Sequence, residues 1–131
     1  MITNFEGFTY ELTEYERKIL QPRIVKGLSV RIGKDKAITN SAMCKALSDK
    51  GYDISEPRLR KIIHSIRIQG LIPLLLSTSK GYFVADNDEQ IKNWCESMQQ
   101  RINSQAQILK AIKEQYGEKQ REYCQIELDM E

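Results

Sequence analysis

The side chains best suited to chemistry lie between residues 56 and 69, in a segment whose apolar and polar residues separate onto two faces. The apolar residues recur at the 3.6-residue spacing of a buried helical stripe: Leu59, Ile62, Ile63 and Ile66. The remaining positions carry cations and hydrogen-bonding groups: Arg58, Arg60, Lys61, His64, Ser65 and Arg67. Cations bind phosphates, and arginine or short polar groups read base edges in the major groove. We therefore predict a helix that contacts double-stranded DNA.

The helical wheel assigns separate roles to these residues. Lys61 and His64 point nearly opposite the apolar stripe, and Arg60 and Ser65 lie on its flanks. Lys61, His64 and Arg60 are predicted to enter the groove. Arg58 and Arg67 lie on the flanks and are predicted to contact phosphates.

A second group of polar residues is predicted to support this contact. Lys80 lies in the segment 77–81, Ser-Thr-Ser-Lys-Gly, which is typical of a hairpin tip that contacts a phosphate or enters a minor groove. Lys36, Asn40, Ser41 and Lys45 surround the start of a preceding helix, whose free N–H groups favour a phosphate. We expect these four to make weaker backbone contacts.

The sequence offers little for catalysis or for metal binding. His64 is the single histidine, and its neighbours one helical turn away are Arg60 and Ile68, not metal ligands. There is no glycine-rich phosphate loop, nucleophile elbow or paired-carboxylate motif. The three cysteines form no C-x-x-C pair and are expected to be free thiols. We therefore expect that the protein is not an enzyme and that it binds no cofactor, metal or small-molecule substrate.

The elements around the cationic helix predict a mainly α fold with a small β-hairpin. Thr13 and Glu16 form a capping box, so a first helix begins there and continues through Ile32, with a kink or restart near Gln21 because Pro22 follows. Gly33 is predicted to end this helix.

The second and third helices and the hairpin follow in order. Thr39 or Asn40 is predicted to cap the second helix, and Ser55 the third. Gly70 ends the third helix, and strands at 71–76 and 82–84 form the hairpin. This is the order of a winged helix-turn-helix, in which the third helix enters a DNA groove.

A long helix is predicted to follow from 87 to 117. Its apolar residues alternate at spacings of four and three, with Gln105 in one such place, which indicates a coiled-coil seam: Ile91, Cys95, Met98, Ile102, Leu109 and Ile112. Two interpretations remain open, a dimer with a second copy or a helix that folds back across the domain. The predicted domains are an N-terminal arm at 1–12, the winged helix-turn-helix at 13–86, the long helix at 87–117 and a flexible tail at 118–131.

The charge distribution and the hydropathy of the sequence limit where the protein is expected to reside and what it is expected to bind. Residues 1–85 carry a net charge of +6 and residues 86–131 a net charge of −4, which favours two surfaces with different partners. No apolar run reaches the length of a membrane helix, and the first residues do not resemble a secretory signal. We expect a cytoplasmic protein without a membrane partner.

Four segments of this sequence are similar to small winged-helix proteins of bacteriophages and prophages. They are RLRKIIH at 58–64 with GLIP at 70–73, SKGYFVA at 79–85, and KGLSVRIGK at 26–34, within a resemblance that spans about residues 12–116. The resemblance implies DNA binding and a mobile-element origin. We therefore expect a protein that serves transcription regulation or DNA replication. The alternative is a protein-interaction or phage assembly module that recruits partners through its acidic C-terminal helix.

Overall fold

A computed structural model describes residues 11–130, and side chains as far as residue 122. The predicted N-terminal arm therefore lies outside the described residues, except for Glu11 and Leu12. The chain divides into two compact units, Met1–Ile91 and Lys92–Glu131. The first contains three helices and a β-hairpin, and the second consists of helix, so the fold is mainly α with a small hairpin, as predicted.

The first helical segment begins at the predicted capping box. The backbone N–H of Thr13 donates to Glu16 Oε1 at 2.8 Å, and the N–H of Glu16 donates to Thr13 Oγ1 at 3.1 Å. A π-helical turn at Glu16–Leu20 precedes helix α1, Gln21–Ser29. Pro22 has no N–H and crowds the preceding turn, and the wider π turn accommodates it. The expected irregularity before Pro22 is therefore present, as a π turn with α-helix resuming at Gln21.

The end of α1 differs from the prediction. The helix stops at Ser29, and Ile32 instead forms a parallel bridge with Val84. The backbone here is held by β2, because Val84 N–H donates to Arg31 O and Gly33 N–H donates to Val84 O, both at 2.8 Å. Gly33 has a positive φ of 95°, which lets the chain turn away from the helix. The prediction of helix through Ile32 was wrong because a tertiary strand contact outweighs the local periodicity.

Helices α2, Asn40–Asp49, and α3, Glu56–Gln69, have the predicted caps. Thr39 Oγ1 accepts from Ala42 N–H at 3.1 Å, Ser55 Oγ accepts from Arg58 N–H at 3.4 Å, and Gly70 is left-handed. The apolar stripe of α3 lies at the centre of the core, each residue at most 1% exposed: Leu59, Ile62, Ile63 and Ile66. It packs with side chains from α1, α2 and the hairpin, including Ile24, Leu28, Met43 and Leu75.

The hairpin consists of β1, Leu75–Thr78, and β2, Gly81–Val84, paired antiparallel with Thr78 opposite Gly81. The predicted first strand began at residue 71, four residues too early. Residues 71–74 form turns instead, because Leu71 N–H donates to Ile66 O at 3.1 Å and Leu74 has a φ of 59°. Ile38 and Tyr82 exchange two backbone hydrogen bonds in an isolated antiparallel bridge, which ties the segment before α2 to β2.

A buried ion pair joins the start of the first helical segment to α3. Glu16 is 6% exposed, and it accepts a hydrogen bond from Arg58 Nε at 2.8 Å and a second from Arg58 Nη2. Burial alone raises the pKa of this carboxyl. The bonds from Arg58 and from the backbone of Thr13 outweigh it, so the pKa of Glu16 lies below its usual value. The pair therefore fixes the capping box against α3.

Helix α4 extends further than predicted. It covers Asp88–Met130, whereas the sequence predicted an end at 117 and a flexible tail at 118–131. Gly117 is tolerated inside the helix because its neighbours favour helix and no proline follows. The predicted tail is therefore helical as far as Met130. No helix among the described residues is both long enough and apolar enough to cross a membrane.

The ion pair predicts a pH-dependent loss of stability in Glu16→Gln. Glutamine preserves the capping box but cannot pair with the Arg58 charge, so we expect the variant to lose about 1–3 kcal/mol at pH 7. A depressed pKa stabilises the fold above the unfolded value near 4.5, and that stability disappears as the pH falls through the folded pKa. Urea unfolding at pH 7 and pH 3 should therefore show a difference from wild type that shrinks at pH 3.

Glu14→Gln is the matched control, because it breaks an exposed pair with Lys18 that lies one turn away in the same segment. Such a pair contributes less than about 1 kcal/mol, so its midpoint should barely move. Equal midpoints for wild type and Glu16→Gln at pH 7 would contradict the structural role of the pair.

Candidate nucleic-acid interface

The outer face of α3 follows from its apolar stripe. Because the four stripe residues are almost fully enclosed, the helix cannot rotate without exposing them, and the residues opposite stay outward. His64 is exposed and Lys61 is half-buried on this face. Ser65 lies beside them, and its Oγ accepts a hydrogen bond from Gln69 at 2.6 Å. The predicted groove residues therefore lie together.

Arg60 sits at the edge of this face, toward α2 and the hairpin. Its Nη2 lies 3.6 Å from Oε1 of Glu56, and both side chains are about half exposed. An exposed pair of this kind contributes at most about 1 kcal/mol, so Glu56 restrains the Arg60 guanidinium only weakly. Burial raises the pKa of Tyr82 on β2, and the charge of Arg60 partly offsets this effect.

Arg58 and Arg67 are placed differently from the other predicted contacts. Arg58 is held by Glu16, and its Nη2 also donates to Glu11 O at 3.3 Å. Arg67 is half-buried against the hairpin, where its Nη1 donates to Ser77 Oγ at 3.3 Å and burial lowers the pKa of the guanidinium. Both arginines connect α3 to other parts of the fold, so we do not include them in the proposed phosphate contacts. The helical wheel placed both arginines on the flanks of α3, but it could not show that Glu16 and the hairpin contact them there.

A groove on the outer face contains one cation that the sequence analysis missed. It is lined by Glu11, Leu12, Arg17, Pro57, Arg60, Lys61, His64 and Ser65. Arg17 comes from the π turn before α1 and is exposed. The Glu16–Arg58 pair joins this turn to α3, and Arg17 and Lys61 line the same groove. The sequence contained one signal for Arg17: its neighbour Glu16 belongs to a capping box, which places Arg17 at the start of a helix.

The tip of the hairpin lies against the start of α2. Gly81 is buried with φ at 117°, and a Cβ there would overlap the carbonyl group of Ile38. Lys80, exposed in the two-residue turn, is therefore held near the α2 cap at Thr39. Asn40 Nδ2 donates to Glu56 O at 3.1 Å, which joins the start of α2 to that of α3. The hairpin tip, the start of α2 and the start of α3 thus converge.

The weaker predicted contacts lie in α2 and in the turn before it. Asn40 and Ser41 are in the first turn of α2, where backbone N–H groups lack intrahelical acceptors. Lys36 lies in a 3₁₀ turn, Lys34–Lys36, just before α2, and its carbonyl accepts from Arg31 at 3.1 Å. The side chains of Lys36, Ser41 and Lys45 are exposed.

A second basic surface lies between α1 and α2. Its floor is apolar, and its rim carries Arg23, Lys26, Arg31 and Lys50. Arg23 stacks over the ring of Tyr52, 4.3 Å from its centroid. This groove is distinct from the one on the outer face of α3, so the two can be tested separately.

Titratable groups do not assemble into a metal site in the described part of the chain. Cys44 and Cys95, the cysteines whose side chains are described, are free thiols. Burial raises the pKa of Cys44, which favours its thiol form.

Three helices followed by a hairpin, with cations on the outer face of α3, are the element order that the sequence predicted for a winged helix-turn-helix. No protein-family model, curated protein or solved structure matches this chain. Its function is therefore inferred from its own residues.

The close contact at the hairpin tip predicts a strong effect of Gly81→Ala. The added Cβ meets the backbone of Ile38 and forces alanine into a φ that it rarely adopts. We expect a loss of at least about 2 kcal/mol in the free energy of unfolding, measured by urea denaturation.

Gly27→Ala provides the control for that substitution. Gly27 lies inside α1, and a Cβ there meets no atom within 4 Å. Alanine should stabilise the helix by about 0.5–1 kcal/mol. Equal effects of the two substitutions would contradict the close approach of Gly81 to Ile38.

Proposed function

We propose that this protein binds double-stranded DNA non-covalently, with α3 in the major groove and the 77–81 hairpin tip on the backbone or in the minor groove. The observation that carries the proposal is the geometry of α3. Its apolar stripe is enclosed, while Arg60, Lys61 and His64 lie together on the opposite side. A major groove accommodates one α-helix, and these side chains are those that reach phosphates and base edges.

The contacts divide by chemistry. His64, near the middle of the outer face, and Ser65, on its flank, are suited to base edges through directional hydrogen bonds. Arg17, Arg60 and Lys61 line the groove on this face and supply the cations that release counterions from phosphates. Lys80 and the first turn of α2 add a backbone contact beside the start of α3, and the exposed Lys36 and Lys45 lie before and after that turn in the chain.

The biological setting of the proposal comes from the resemblance of the sequence to phage winged-helix proteins. It favours a cytoplasmic protein of phage or prophage type that serves transcription regulation or DNA replication. The proposed activity is binding without catalysis, so no cofactor is required.

Fluorescence anisotropy with a labelled duplex tests the proposal directly. The logarithm of the association constant should fall linearly with the logarithm of salt concentration, with a slope of about −0.9 for each phosphate neutralised. The double variant Arg60→Ala/Lys61→Ala should bind roughly tenfold or more weakly and with a shallower slope. Absence of duplex binding by the wild type at low salt would refute the proposal.

The matched control is Lys26→Ala/Lys50→Ala, which removes the same charge from the groove between α1 and α2. Both lysines are exposed, so the fold should be preserved. We expect DNA affinity to change less than in the α3 variant. A larger loss of DNA affinity in the control would indicate that DNA binds at that second groove and not on α3.

The alternative function is a protein-interaction or assembly module. The observation that favours it is the acidic start of α4, where Asp88, Glu89 and Glu96 outnumber Lys92. Under this alternative, partner capture survives Arg60→Ala/Lys61→Ala and is lost when these acidic residues are neutralised.

A further inference from the structure

The groove between α1 and α2 takes no part in the proposed DNA contact. It encloses about 440 Å³, and its apolar floor is lined by Ile24, Leu28, Ile38, Met43, Leu47 and Tyr52. A cavity of this size holds the apolar groups of a ligand, and the transfer of such groups out of water is favourable. The floor therefore favours a partner that presents apolar side chains.

The charged residues that line this groove are all cations: Arg23, Lys26, Arg31 and Lys50. None of the ion pairs between the described side chains involves any of these four. Arg23 is held over the ring of Tyr52, and Arg31 Nη1 donates to the carbonyl oxygen of Lys36 at 3.1 Å. Both partners are neutral groups, so the two guanidiniums keep their positive charge at the rim. The rim therefore favours a partner with carboxylates.

Gly27 leaves the middle of the groove open. It lies inside α1 one helical turn after Arg23, so both residues are on the same side of the helix. A Cβ at Gly27 meets no atom within 4 Å, so the packing of the fold does not require glycine here. Glycine destabilises the interior of a helix relative to alanine. An open groove thus gives this position a reason to lack a side chain that the fold itself does not.

The spacing of the cations distinguishes a peptide from other anions. From Arg23 to its end at Ser29, α1 rises by about 9 Å, and Arg31 lies beyond that end. A single carboxylate cannot reach cations at both ends of this distance, whereas carboxylates one helical turn apart on a peptide reach several of them. The phosphates of a DNA duplex could contact the rim, but the duplex backbone has no apolar groups that would fill the floor.

We propose that the groove between α1 and α2 binds an acidic amphipathic peptide segment of a partner protein. The apolar side chains of the peptide occupy the floor, in the way that an amphipathic helix places its anchors in a groove. Its carboxylates pair with the rim cations on either side. This inference does not rest on the proposed DNA binding, because the groove and the outer face of α3 have no lining residue in common.

Titration of the full-length protein into a fluorescein-labelled peptide tests the proposal. The probe is a peptide of about 15 residues, with leucines at the i, i+3, i+4 and i+7 positions of one helical face and glutamates beside them. We expect saturable binding at micromolar concentrations, measured by fluorescence anisotropy. Binding to Gly27→Leu should be roughly tenfold weaker, because the new side chain occupies the middle of the groove. Leucine is a good helix former, so the fold should be preserved, as a urea unfolding curve would verify.

Charge variants separate this groove from the proposed DNA contact. Lys26→Ala/Lys50→Ala should also bind the peptide roughly tenfold more weakly, and both lysines are exposed, so this variant does not disturb the core. Arg60→Ala/Lys61→Ala is the matched control, since it removes the same charge from the outer face of α3 and should bind the peptide as the wild type does. Duplex DNA should show the reverse pattern with the two variants. Loss of either binding activity alone therefore identifies which of the two proposals fails.

The remaining outcomes would overturn the proposal. Absence of saturable binding at up to about 1 mM protein, or unchanged binding to Gly27→Leu, would show that the groove does not hold the peptide. Equal affinity for a probe with glutamine in place of every glutamate would remove the acidic requirement. Complete displacement of the peptide by octanoate at the same concentration would assign the groove to small carboxylates. Self-association of the wild type that Gly27→Leu abolishes would assign it to a second copy.

Discussion

The structure of the first unit depends on one constraint, the enclosure of the apolar stripe of α3. This stripe consists of Leu59, Ile62, Ile63 and Ile66. Each of these side chains is at most 1% exposed, and α1, α2 and the hairpin each contribute residues to the same cluster. Burying an aliphatic side chain of this size stabilises a fold by roughly 1.5–3 kcal/mol. Rotation of α3 by even a quarter turn would expose part of the stripe and bury cations. The core therefore sets the direction of Arg60, Lys61 and His64 more firmly than any polar contact on the surface does.

The arginines of α3 differ in their surroundings: two contact other elements of the fold, and a third lies on the exposed surface. Arg58 is held by Glu16 on one flank, and Arg67 is held against Ser77 on the other. A guanidinium that is already paired and partly desolvated gains less from a phosphate than an exposed one. Arg60, whose partner Glu56 is exposed and 3.6 Å away, has no such restraint. Cations of the same type on one helix are thus held to different degrees because their neighbours differ in burial.

The sequence predicted the elements well wherever a local signal and the tertiary structure agree. The capping box at Thr13, the limits of α3 between Ser55 and Gly70, and the stripe of α3 are all confirmed. The predictions were wrong at Ile32 and at residues 71–74, where strand pairing and a positive φ at Leu74 outweigh the apolar pattern. The sequence also predicted too early an end for α4, because one glycine destabilises a helix by less than the surrounding helix-forming residues stabilise it. Arg17 entered the candidate site only through the packing of α3 against the first helical segment, which no local pattern encodes.

The outer face of α3 and the apolar stripe of α4 depend on different physical terms. The proposed docking of α3 on DNA is an electrostatic contact that weakens as the salt concentration rises. On α4, Ile102, Leu109 and Ile112 are more than half exposed, and burial of such apolar surface depends little on the screening of charges. A change in salt concentration therefore acts on the proposed DNA contact and leaves apolar contacts of α4 largely unaffected.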